Sequence, residues 1–202
     1  MKNKTFLGII LLVYILFSAG FTAYAENKTL QNNIKEQAIN LYKQGDYKEA
    51  AKKLESIDII NIDEEELLLL ANCYESMGDS KASFDCLIKI LKKHPRNPYV
   101  YYNLGLLYYK NNDIKAAIEN FEKATKYKNK FAPAYYNLGT CYYLLNDYKN
   151  AKKYLQKAFK IDPQNPDIVY NYAMSLKALG HSEETGKYFD LYNTLTAEIK
   201  NN

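Results

Sequence analysis

From Thr5 to Ala25 the chain carries no charge, and Leu7 to Phe17 is almost wholly apolar. Beyond that stretch apolar and polar positions fall into blocks, and one block comes back. Tyr101-Tyr102-Asn103-Leu104-Gly105-Leu106-Leu107-Tyr108-Tyr109 recurs as Tyr135-Tyr136-Asn137-Leu138-Gly139-Thr140-Cys141-Tyr142-Tyr143, with Gly105 and Gly139 34 positions apart. Such a period belongs to stacked helical hairpins, each too small to bury its apolar face alone. The expected fold is all-α, an α-solenoid of about five hairpins in a right-handed superhelix.

With the two glycines as frame, the units run 31–63, 64–97, 98–131, 132–165 and 166–199, leaving a short polar linker at 26–30 and a tail at 200–202. The eighth position of each first helix is small: Ala38, Ala71, Gly105, Gly139 and Ala173. Glycine inside a helix costs about 1 kcal/mol relative to alanine, so Gly105 and Gly139 imply close approach to the second helix. The second helices offer small residues of their own at Ala50, Ser83, Ala117, Ala124, Ala151 and Ala158, and small is expected to face small.

Between the helices stand Gly45-Asp46, Gly78-Asp79, Asn112-Asp113 and Asn146-Asp147. Gly or Asn suits a left-handed C-terminal cap, and Asp then accepts N–H bonds at the next helix start. Gly180-His181 keeps only the first half of that pair. The prolines at 95, 98, 133, 163 and 166 all fall at unit boundaries, where proline opens a helix without disrupting one. Before the second unit, Asp63 with Glu66 predicts a capping box.

Leu104, Gly105, Tyr108, Ala117, Phe121 and Ala124, followed by Leu138, Gly139, Tyr142, Ala151, Leu155, Ala158 and Pro163, resemble the signature of the tetratricopeptide repeat family. The resemblance covers nearly all of residues 31 to 199, with Tyr101 and Tyr135 where the family often has Trp. The outer units depart from it: Ile57 and Ile90 stand where a small Ala is usual, and Thr185 and Tyr192 occupy small positions in the last unit.

The resemblance implies a concave groove lined by the second, fifth, sixth, ninth, twelfth and thirteenth positions of each unit. It puts Tyr101, Tyr108, Tyr135 and Tyr142 in the core. It puts Tyr102, Asn103, Tyr109, Tyr136, Asn137, Tyr143, Tyr170 and Asn171 on the groove as a tyrosine and asparagine ladder. Tyrosine offers an apolar face with a hydroxyl, and an Asn amide donates and accepts at once, so the ladder suits an extended peptide without demanding charge. The family's carboxylate-clamping groove is not expected: Lys35 fills one slot, but Ile39, Leu69, Tyr99 and Asn103 fill the others, and none is a cation. At the C-terminal end Tyr188, Tyr192, Leu195 and Ile199 recur at helical spacing, a candidate association edge for weak self-association.

Lys2 and Lys4 before the apolar stretch, with Ala23-Tyr24-Ala25 after it, describe a secretory signal peptide over 1–25, or else an uncleaved anchor tethering the protein to a membrane through residues 5–25. Either implies export to a periplasmic, secreted or cell-envelope location. Removal of 1–25 lowers the formal charge from +4 to +2 by taking away those two lysines, which gives nucleic acid no purchase. Lysine pairs such as Lys52-Lys53 and Lys152-Lys153 read as solvated faces.

Three cysteines exclude an all-paired disulfide framework, and Cys73, Cys86 and Cys141 read as buried thiols, with a Cys73–Cys86 bridge left open. His94 and His181 are loop residues more than two units apart, with no cysteine or acidic cluster spaced to complete a metal site, so neither a metal nor another cofactor is expected. No phosphate loop, nucleophile elbow or paired-His helix appears, and no enzyme is expected. The sequence points to an exported scaffold that binds a protein or extended peptide. The alternatives are a membrane-anchored form docking through its C-terminal unit and, more remotely, an enzyme or nucleic-acid binder.

Overall fold

The computed structural model describes residues 22, 24–26, 28–57 and 62–200. The signal or anchor expectation falls mainly on 1–21 and 23, outside the described residues. Among the described residues there are helices and no strands: α1 (28–43), α2 (Tyr47–Glu55), α3 (Glu64–Ser76), α4 (Ser80–Lys93), α5 (Pro98–Lys110), α6 (Ile114–Tyr127), α7 (Ala132–Leu144), α8 (Tyr148–Ile161), α9 (Pro166–Ala178) and α10 (Ser182–Lys200). Residues 28–30, expected in a polar linker, are instead helical and run into α1. No glycine or proline lies there to stop the helix. The chain divides into two compact units, Met1–Cys86 and Leu87–Asn202.

In the first unit α2 packs on α3, around buried Ala50, Leu54, Leu67, Leu70, Ala71 and Cys73. The start of α3 is a capping box: Asp63 accepts from the Glu66 N–H, and the Glu66 carboxylate accepts from the Asp63 N–H at 2.8 Å. Glu66 is 3% exposed, and burial pushes its carboxyl above the usual range. Lys35, on α1, pairs with the Glu65 carboxylate, and that bond raises its ammonium pKa.

The second unit contains three hairpins, α5 with α6, α7 with α8 and α9 with α10, with α6 packed on α7 and α8 on α9. Pro98 and Pro166 sit in the first turns of α5 and α9, and Asn97 and Asn165 cap those helices through their side chains. Asn112 and Asn146 take the left-handed conformation at φ 60°, ending α5 and α7, and Asp113 and Asp147 then cap α6 and α8. Burial of Ala117, Phe121, Leu138, Cys141, Ala151, Leu155, Ala158 and Leu176 supplies the core, each at 0% exposure. A fully buried side chain of the size of Phe or Leu contributes about 1.5–3 kcal/mol relative to exposure.

The glycines meet larger partners than the sequence suggests. A Cβ on Gly105 would lie 2.5 Å from Phe121 Cε1, and one on Gly139 would lie 2.6 Å from Leu155 Cγ. Small residues on the first helix thus make room for a large side chain on the second, rather than facing only alanines. The same Cβ on Gly139 would lie 3.2 Å from the Ala151 carbonyl oxygen, so there the main chain of the second helix comes close.

Candidate functional site

The first helices of the second unit carry little charge. α7 has no Asp, Glu, Lys, Arg or His, and α5 has only Lys110 among these. On these helices the two tyrosine sets do not separate as the family resemblance implies. Tyr135 is buried, whereas Tyr101, Tyr108 and Tyr142 are half-buried. Tyr102 and Tyr136, expected on the groove, are half-buried too. The Tyr102 ring packs on Phe121 and Phe131 at centroid distances of 5.9 and 5.1 Å, and Tyr136 joins the cluster around Ala132, Tyr135 and Ile168. Burial raises both hydroxyl pKa values.

The ladder residues bond to one another. The Asn137 amide donates to the Tyr102 hydroxyl at 3.3 Å, and the Asn171 amide donates to the Tyr136 hydroxyl at 3.0 Å and to Thr140 Oγ1 at 3.4 Å. Each rung thereby ties a unit to the one before it. Asn103, half-buried, makes no side-chain hydrogen bond among the described residues. Tyr109 and Tyr170 remain 38% and 40% exposed, and Tyr143 is half-buried against Tyr148.

Between α7 and α9 the ladder borders two half-open hollows. One of about 130 Å³ is lined by Thr140, Tyr143, Leu155, Tyr170, Asn171 and Met174. The other, of about 110 Å³, is bordered by Pro133, Tyr136, Asp162, Asp167 and Ile168. Thr140, Met174, Pro133 and Asp167 were not named as groove residues, although they stand at the ninth and second unit positions. Leu155 and Asp162 lie outside that frame altogether.

At the C-terminal edge the stripe splits. Tyr188 turns inward, its ring 4.7 Å from Tyr172 and 5.3 Å from Phe159, while Tyr192 packs on Tyr170 at 5.2 Å. Leu195 is half-buried and Ile199 is 63% exposed. Tyr188 therefore belongs to the interior more than to an association edge. Tyr172, which the sequence reading passed over, is 1% exposed, receives a hydrogen bond from the Gln156 amide at 3.2 Å and has its hydroxyl pushed up to about 12 by burial.

Among the described residues no three His, Cys, Asp or Glu side chains cluster as a metal site, and no helix is long and apolar enough to cross a membrane. All three cysteines are buried thiols.

Paired helices, glycine contacts and an uncharged face of tyrosine and amide groups define a helical-hairpin repeat protein. Models of the tetratricopeptide repeat match residues 67–97, 98–131 and 132–165. No curated protein matches the sequence. Among solved structures, a crystal structure of MamA is 21% identical with a TM-score of 0.70, covering 82% of this chain and 97% of that one. A MamA double mutant designated RS-1 ArsTM gives 19% and 0.73, covering 85% and 97%. PilF of Pseudomonas aeruginosa gives 18% and 0.75, covering 83% and 77%. At these identities the likeness is one of fold.

Proposed function

We propose that this protein is an exported, non-enzymatic scaffold that holds an extended polypeptide along α5, α7 and α9 within a cell-envelope assembly. The observation that carries this reading is the uncharged face of α5 and α7, on which Tyr109, and across the seam Tyr170 of α9, stay more than a third exposed. Solvent-facing helix positions are ordinarily charged, and exposed aromatic groups beside amides suit a peptide backbone. The formal charge of +2 beyond residue 25 supports a protein partner over nucleic acid.

Tyr109→Ala with Tyr170→Ala is the informative variant, because Tyr102 and Tyr136 are packed into the fold and their loss would disturb it. Cross-linked affinity capture followed by mass spectrometry is expected to lose the partner while helical circular dichroism is unchanged. Capture at the native level would sink the reading. A second form of it, in which residues 5–25 stay as a membrane tether and α10 docks through Ile199, is supported by the charge-free N-terminal stretch and by the 63% exposure of that side chain. N-terminal sequencing separates the two: a start at Glu26 means cleavage.

A further inference from the structure

The bridge formed by Asn171, Tyr136 and Thr140 stands between two hollows of opposite character. The larger, about 130 Å³, has Leu155 and Met174 with the rings of Tyr143 and Tyr170 around it. An apolar cavity of about 150 Å³ holds a benzene molecule, so this half-open one matches a leucine, isoleucine or methionine side chain better than an indole. The smaller brings Asp162 and Asp167 beside Pro133 and Tyr136. Asp162 accepts from the Asn165 amide at 3.4 Å, and neither carboxylate is in an ion pair among the described residues. The start of α9 contributes about half a positive charge, far less than the two carboxylates carry, so this hollow favours a cation.

The bridge itself is polarised. Both hydrogens of the Asn171 amide are used, on Tyr136 and Thr140, which leaves its Oδ1 as an acceptor. The Tyr136 oxygen accepts from Asn171, with Thr140 also within its reach, and its hydroxyl hydrogen is the donor that the bridge can turn to a ligand. One acceptor and one donor side by side match the N–H and C=O of a peptide.

The hollows are seven residues apart along α7, from Pro133 to Thr140 or Tyr136 to Tyr143, about 10 Å at ~1.5 Å per residue. In a polyproline II segment, rising ~3.1 Å per residue with three residues per turn, side chains i and i+3 share a face about 9 Å apart. A β-strand would put same-face side chains at about 7 or 13 Å, a poorer match.

We infer that the α7–α9 seam takes a polyproline II segment with an aliphatic side chain between Thr140 and Met174 and a lysine or arginine three residues away at Asp162 and Asp167. Asn171 and Tyr136 hold the backbone between them. This rests on the peptide-groove reading above and specifies the peptide.

Capped nonapeptides carrying leucine and lysine three residues apart, in either order, are titrated into the full-length protein and followed by fluorescence anisotropy. One order is expected to bind, with Leu→Asp or Leu→Trp weakening it at least tenfold and Lys→Glu at least threefold. Met174→Phe, which fills the apolar hollow, is expected to weaken the same peptide about tenfold, and Asp167→Asn to remove most of its salt dependence. The peptide substitutions use native protein, so they decide the matter even where a variant folds poorly. Equal binding of the Asp and Leu peptides overturns this inference. If binding is then indifferent to residue type but lost with Tyr109→Ala and Tyr170→Ala, the groove reading survives alone. If none of the peptides binds while the captured cellular partner still depends on Tyr109 and Tyr170, the specificity stated here is overturned and the groove again survives. Loss of both defeats both.

Discussion

The amide of Asn171 donates to the hydroxyl of Tyr136, 3.0 Å away and 35 residues earlier, and Asn137 repeats the bond to Tyr102 at 3.3 Å. Tyr136→Phe keeps the ring and removes the acceptor, and Thr140 still partners the amide, so the loss is expected to be about 1 kcal/mol in urea denaturation. A double-mutant cycle with Asn171→Ala is expected to show coupling of about 0.5–1 kcal/mol, and the Tyr102 and Asn137 cycle less. Additive single mutants in both cycles would mean that the ladder adds nothing to stability.

Gly105→Ala and Gly139→Ala separate helix propensity from packing. Propensity alone favours alanine by about 1 kcal/mol. Packing opposes it, because the new Cβ would sit 2.5 Å from the Phe121 ring or 2.6 Å from Leu155 Cγ, and overpacking costs about 1–3 kcal/mol. Both variants are expected to be less stable, Gly139→Ala the more so, since the Leu155 nitrogen and Ala151 oxygen at 3.1 and 3.2 Å belong to backbone that cannot rotate aside. A rise in melting temperature for either would contradict the contact.

The helical fold was legible because the repeat length, the Gly-Asp and Asn-Asp turns and the boundary prolines each report a local backbone preference that packing does not override. Gly105 was legible as a close approach, yet its partner was not, since sequence spacing cannot say that Phe121 rather than Ala117 turns toward it. The tyrosine assignment failed to separate for a similar reason. A tyrosine at one unit position packs according to its neighbours, and Tyr102 meets Phe121 and Phe131 where a smaller pair would have left it exposed. The pockets depend on Leu155 and Asp162, which come from the second helix and its end. A frame drawn on first helices had no place for them.

Alkaline pH is expected to destabilise the fold. Burial pushes the Tyr172 hydroxyl and the Cys141 thiol up to about 12, and burial with the Glu122 carboxylate does the same for Tyr142. The folded state holds these protons more tightly than the unfolded chain, so their contribution is complete below pH ~9 and fades as pH rises toward about 12. Thermal melts between pH 8 and 12 should show a falling midpoint, with tyrosinate absorbance rising in step with unfolding. A flat midpoint across that range would contradict the burial of these groups.

The thiols should be silent in the native protein. Cys73 and Cys141 are fully buried, with pKa values pushed up by burial to about 11 and 12, and Cys86 is also buried. A thiolate is the reactive form, so a disulfide reagent at pH 8 is expected to label none of the three until denaturant is added, and then all three. Two unreactive sulfurs in non-reducing denaturant would instead reveal a bridge between Cys73 and Cys86.

Units three and four share most of their first-helix sequence, yet the spaces behind their glycines differ. Gly105 opens onto an aromatic ring, whereas Gly139 opens onto a branched aliphatic group with main chain close behind. A Phe121 ring transplanted to position 155 would meet main chain behind Gly139 that has no counterpart among the nearest contacts of Gly105. Related text has thus become two parts with different fittings, and a chimera that exchanged α6 for α8 would have to repack both seams.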